Sequence, residues 1–80
     1  MATRAFILIE TAVGKSRGVV EELRAISGVE KVDPVTGPYD IIAMVNAGDL
    51  NAVGDLVTSQ IHTIGGIART VTCLAVGQAD

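Results

Sequence analysis

The chain has no tryptophan, one phenylalanine (Phe6), one tyrosine (Tyr39), one cysteine (Cys73) and one histidine (His62) in 80 residues. Each scarcity excludes something. A single cysteine rules out a disulfide within the chain, and beside a single histidine it rules out the usual zinc centres. No metal, cofactor or catalytic residue is expected: no Ser, Asp or Cys constellation surrounds His62. Two aromatic rings make no stacking platform for bases. The six basic residues (Arg4, Lys15, Arg17, Arg24, Lys31, Arg69) are scattered, and the formal net charge is −3. No basic stripe exists to neutralise phosphates, so direct nucleic-acid binding is not expected. No apolar run approaches the roughly 20 residues of a membrane span. Met1-Ala2-Thr3-Arg4, then a short apolar run broken at Glu10, lacks the layout of a secretory signal. A cytoplasmic protein without membrane contact is the expectation.

What is there is aliphatic. Hydrophobic residues make up 49% of the chain, nearly all Val, Ile, Leu and Ala. A chain of this length buries only a modest part of its surface. One domain over residues 1–80 is expected, with apolar material left over for contacts between subunits.

Residues 4–12 read as a strand, apolar without alternation from Ala5 to Ile9, hence buried on both faces and central. Residues 16–27 read as a helix, with Ser16 as its cap and Val19, Leu23 and Ile26 along one stripe. Gly28 follows, where a left-handed C-terminal cap is common. Residues 29–36 read as an edge strand, marked by charges and Pro34. Residues 39–47 form a third strand, apolar on both faces like the first. Asp49 caps a helix over residues 50–63, whose Leu50, Val53, Val57, Ile61 and Ile64 keep a helical period. Gly65-Gly66 stops it, and residues 67–76 form a fourth strand, an edge by its Arg69, Thr70 and Thr72. Residues 77–80 are a polar tail.

The order βαββαβ is a split βαβ arrangement. It predicts an α+β, ferredoxin-like sandwich: an antiparallel four-stranded sheet with two helices on one face, strands one and three central. Those two strands carry apolar side chains on both sides, Ala5, Ile7 and Ile9 against Phe6 and Leu8, and Ile41, Ala43 and Val45 against Ile42 and Met44, so the sheet face away from the helices is apolar whichever set it holds. An apolar face of that kind marks an interaction surface, and the simplest partner is a second copy packed sheet to sheet.

One stretch gathers most of the unusual residues: Val32-Asp33-Pro34-Val35-Thr36-Gly37-Pro38-Tyr39-Asp40. It holds both prolines, the tyrosine, and an acid at the foot of the run Ile41–Val45. A carboxylate in that position must be satisfied by hydrogen bonds. Two readings stand side by side: Asp40 caps its own turn, or it accepts the ammonium of a small zwitterion whose carboxylate meets free turn N–H groups. Cys73 reads as a small buried apolar residue.

Ser27-Gly28-Val29-Glu30-Lys31-Val32, then Val35-Thr36-Gly37-Pro38-Tyr39-Asp40-Ile41-Ile42, then Asp49 and the second helix, then Gly66-Ile67-Ala68-Arg69-Thr70-Val71-Thr72, closely resemble the effector (RAM) domain of the Lrp/AsnC regulators. The resemblance covers nearly the whole chain. It implies a dimeric α+β barrel arrangement with facing sheets, homodimers joined into a higher ring such as an octamer, and a small amino-acid effector between dimers. It implies effector contacts from Gly37, Pro38, Tyr39 and Asp40, and from Thr70, Thr72, Cys73 and Leu74 of the last strand. Family regulators carry a helix-turn-helix domain ahead of this module. Here the first strand begins within five residues of the start, so a stand-alone module is expected, with full-length regulators as further candidate partners. Two alternatives remain: a small enzyme of the dimeric α+β barrel type, and a purely structural assembly module.

Overall fold

The structure is a computed structural model that describes residues 2–77. Its elements follow the expected order: β1 (Thr3–Thr11), α1 (Ser16–Arg24), β2 (Val29–Pro34), β3 (Ile41–Ala47), α2 (Leu50–Leu56), a π-helical turn (Val57–Ile61) and β4 (Ile67–Leu74). The four strands form one antiparallel sheet in the order β2-β3-β1-β4. The two strands apolar on both faces, β1 and β3, are central, and the two charged ones are edges. Among the described residues no helix is long and apolar enough to cross a membrane.

One sheet face is sealed. Ala5, Ile7 and Ile9 of β1 and Ile41, Ala43 and Val45 of β3 are fully buried. They pack with Val19, Val20 and Leu23 of α1, with Val53 and Leu56 of α2, and with Val57 and Ile61 of the π turn. The alternate residues, Phe6, Leu8, Ile42 and Met44, are only half-buried because no element covers them. The period of two along a strand makes this division: each step along the chain changes faces.

The helices depart from expectation at their ends. α1 stops at Arg24 rather than residue 27, and Ile26 packs on the core from beyond its end. Ser16 is not its cap; Lys15 holds that position without a side-chain bond. Asp49 does cap α2, its carboxylate accepting from the Ala52 N–H at 2.8 Å. Leu50, placed on the buried stripe by its spacing, is 59% exposed. Beyond Leu56 the ladder widens. The Thr58 hydroxyl donates to the Gly54 carbonyl at 2.9 Å, competing for an acceptor of the α-helical ladder. The His62 N–H then reaches back five residues to the Val57 carbonyl at 2.8 Å. β2, β3 and β4 are also shorter than expected: Val35, Thr36, Tyr39, Asp40, Ala75 and Val76 lie outside them.

Gly28 and Gly66 open β2 and β4 with φ of 98° and 100°. A Cβ on Gly28 would stand 2.8 Å from Leu56 Cδ1 and 3.3 Å from the Asn46 carbonyl. Both the backbone angle and the space therefore select glycine. Gly28→Ala is expected to cost about 1–2 kcal/mol from the left-handed backbone alone, read as a lower urea midpoint. An unchanged midpoint would show that the α1–β2 junction relaxes freely.

Candidate functional site

The loop between β2 and β3 is held down by its last residue. Asp40 donates its N–H to the Ile9 carbonyl at 2.9 Å and accepts the Val35 N–H at 2.9 Å on its own carbonyl. Its carboxylate reaches across to the end of β1. The Thr11 N–H donates to Asp40 Oδ2 at 2.8 Å, and the Thr11 hydroxyl donates to the same oxygen at 3.1 Å. With its proton spent there, Thr11 Oγ1 accepts from the Ser16 hydroxyl at 2.7 Å. Three residues thus join the end of β1, the start of α1 and the foot of β3. Asp40 does not cap its own turn: the donor that satisfies it lies 29 residues earlier. The carboxylate leaves Oδ1 without a donor among the described residues, and the N–H groups of Thr36, Gly37 and Tyr39 donate to none of them.

Across β1, the start of β4 comes to the same end of the sheet. Glu10 faces Arg69 and Thr11 faces Ile67, so Ala68 is an extra residue, a bulge. Bulges re-aim neighbouring side chains. Arg69 Nε lies 3.4 Å from Glu10 Oε1, and its guanidinium carbon lies 5.8 Å from the centre of the Tyr39 ring. Tyr39 is therefore a loop residue under an arginine, not part of a strand. Thr70 Oγ1 shares a hydrogen bond of 2.9 Å with His62 Nε2. His62, Ile67, Ala68, Arg69 and Thr70 line an open hollow of about 340 Å³ beside the edge of β4.

The expected site residues are only partly brought together. Gly37, Pro38, Tyr39 and Asp40 share the loop, and Tyr39 meets the start of β4 near Thr70. Thr72, Cys73 and Leu74 run away from it. Leu74 pairs with Ala5 at the opposite end of β1, four residues past Thr70, or roughly 13 Å at about 3.3 Å per residue. Thr70, Thr72 and Leu74 alternate with Cys73, which lies on the other face beside Phe6. Cys73 is exposed, against the expectation of a buried thiol: its partner strand is covered on the helix side only. Thr11, Ser16, Glu10 and Arg69 were not among the expected site residues. The one hint in the sequence was register: in an antiparallel β1–β3 pair, the residues after Ile9 must lie beside those before Ile41.

The open sheet face has a defined make-up. Phe6, Leu8, Ile42 and Met44 form its centre, with Val71 and Cys73 in register beside them. The ion pairs Glu10–Arg69 and Lys31–Asp33 flank it, the latter at 3.8 Å. Arg4 closes one end, its guanidinium 5.8 Å from the Phe6 ring and its buried Nε without a hydrogen-bond partner among the described residues.

Comparison with known proteins agrees with this architecture. The family model for the Lrp/AsnC ligand binding domain matches residues 4–79. An uncharacterized HTH-type transcriptional regulator of Pyrococcus horikoshii is 32% identical over 78 residues, which cover 94% of this chain and 52% of that protein. The chain spans about half the length of the regulators it matches. The crystal structure of TTHA0845 from Thermus thermophilus superposes with a TM-score of 0.92 at 33% identity, covering 98% of both chains. A transcriptional regulator of Neisseria meningitidis, solved as a complex with L-Met, has the same fold: TM-score 0.88 at 18% identity, over 98% of this chain and 52% of that one. With a family model matched over nearly its whole length, this chain belongs to the Lrp/AsnC ligand-binding domain family.

Proposed function

We propose that this domain is a non-catalytic sensor: it self-associates through its open sheet face and binds a small amino acid at the loop Gly37–Asp40. The observation that carries the reading is the half-buried apolar centre of Phe6, Leu8, Ile42 and Met44 on an uncovered sheet. A second copy, packed face to face about a two-fold axis, removes that surface from water. It also brings acceptors towards the orphaned Arg4 Nε, which would otherwise stay costly. Dimers then assemble into a higher ring, in which the loop of one subunit meets the last strand of another. The side of β4 that carries Thr70, Thr72 and Leu74 supplies the effector contacts from that neighbouring subunit, while Cys73 lies in the sheet-to-sheet seam.

At the loop, the free N–H groups of Thr36, Gly37 and Tyr39 are suited to an effector carboxylate. Asp40 divides its work, Oδ2 fixing the loop to Thr11 and Oδ1 accepting the ammonium. The L-Met bound by the Neisseria relative supports the ligand class. The domain passes effector occupancy on to a DNA-binding regulator of its family rather than touching DNA itself.

A thermal-shift screen of the standard amino acids tests the ligand half of this reading. Ligand at about 100 times its Kd adds about 2.7 kcal/mol of stability, which is a rise of about 10–20 °C in a domain of this size. A screen in which no amino acid moves the melting temperature would sink it.

A further inference from the structure

A second hollow lies between α1 and the end of β2. It measures about 550 Å³ and is lined by Ser16, Arg17, Val20, Glu21, Arg24 and Pro34. Residues 17, 20, 21 and 24 fall on one helical stripe, so the charges run in a fixed order along the groove: positive, negative, positive. Among the described residues none of the three forms an ion pair; the two pairs found are Lys31–Asp33 and Arg69–Glu10. Arg24 Nη2 leans on the Val32 carbonyl at 3.4 Å, which sets its direction and leaves its other donors free. Ser16, at the far end, is held by the Thr11 hydroxyl at 2.7 Å. Val20 and Pro34 supply apolar wall between the charges.

We propose that this groove is a separate binding site for a small dicarboxylate that carries an ammonium group, such as a dicarboxylic amino acid. The complement of the groove is negative, positive, negative. Arg17 takes one carboxylate, and Arg24 takes the other. Guanidinium suits both, because it offers a planar fork of donors to a carboxylate. Glu21 takes the ammonium between them. A ligand with one carboxylate leaves an arginine unused, and one without the ammonium leaves Glu21 facing two carboxylates. This site shares no lining residue with the loop Gly37–Asp40, so it stands or falls apart from the function proposed above.

The test is a nitrogen–proton NMR titration of the full chain with L-glutamate as probe, against glutarate, L-glutamine and sodium chloride at matched ionic strength. The amides of Arg17, Val20, Glu21 and Arg24 are expected to shift and saturate with L-glutamate. Arg17→Gln and Arg24→Gln each weaken the fit by about tenfold, the scale of one charge-assisted pair. Glu21→Gln abolishes the preference for L-glutamate over glutarate. These are exposed helix positions, and the amides of the core strands report that each variant stays folded. The proposal is overturned if the α1 amides do not saturate, if sodium chloride reproduces their shifts, or if both arginine variants titrate like the parent. Shifts confined to residues 36–40 also overturn it, while leaving the loop site in place.

Discussion

Leu8→Asp is expected to leave the chain folded and to abolish its self-association. Leu8 lies at the middle of the open face, between Ile42 and Val71 on the neighbouring strands. It contributes nothing to the core under the helices, which is built from Ala5, Ile7 and Ile9. In the isolated subunit the new carboxylate stands in water and costs little. Between two packed sheets it is buried without a partner. Such a charge costs about 3–5 kcal/mol, or roughly a hundredfold to a few thousandfold in Kd. Sedimentation equilibrium reads the change directly. The control is Val13→Asp, in a fully exposed turn, where assembly is expected to be unaltered. A Leu8→Asp protein that associates as tightly as its parent would show that the open face is not the interface.

The second large effect is at Asp40. Removing its carboxylate leaves the Thr11 N–H without its acceptor and cuts the chain of bonds through Thr11 to Ser16. Hydrogen bonds to a charged group contribute about 1.5–3 kcal/mol, so Asp40→Ala is expected to lower stability by about 2–3 kcal/mol in urea unfolding and to abolish effector binding. Asp40→Asn separates the two roles. Its amide oxygen still accepts from Thr11, so most of the stability returns, but the charge that would hold an ammonium is gone. Recovery of stability without recovery of binding is the expected pattern. Recovery of both would assign Asp40 to the fold alone.

The particular residues show what a sequence of this kind makes legible. Ala5–Ile9 and Ile41–Val45 are apolar at every position, as expected of central strands rather than charged edges. Their composition therefore placed them at the centre, and the charges and Pro34 placed β2 at the edge. The resemblance to the Lrp/AsnC effector domain, read from the Val35–Asp40 pattern and the glycine-led strand starts, agrees with the family assignment. Features that depend on partners distant along the chain were not legible. Asp40 announced that it needed a donor, but nothing local named Thr11. The π turn at Val57–Ile61, where the Thr58 hydroxyl donates to the Gly54 carbonyl, leaves the apolar period unchanged. Cys73 looked like core because free cysteine is among the residue types most often buried, whereas its strand is an edge covered on one side. The resemblance grouped Thr70 with Leu74, and an extended strand carries the two to opposite ends of β1 within one subunit.

The most direct measurement is native mass spectrometry of the chain with and without the standard amino acids, since it weighs the assembly and its ligand together. The account predicts an even-numbered assembly that gains one amino-acid mass per subunit, with the gain lost in Asp40→Asn. A monomer that gains no mass with any amino acid would contradict it.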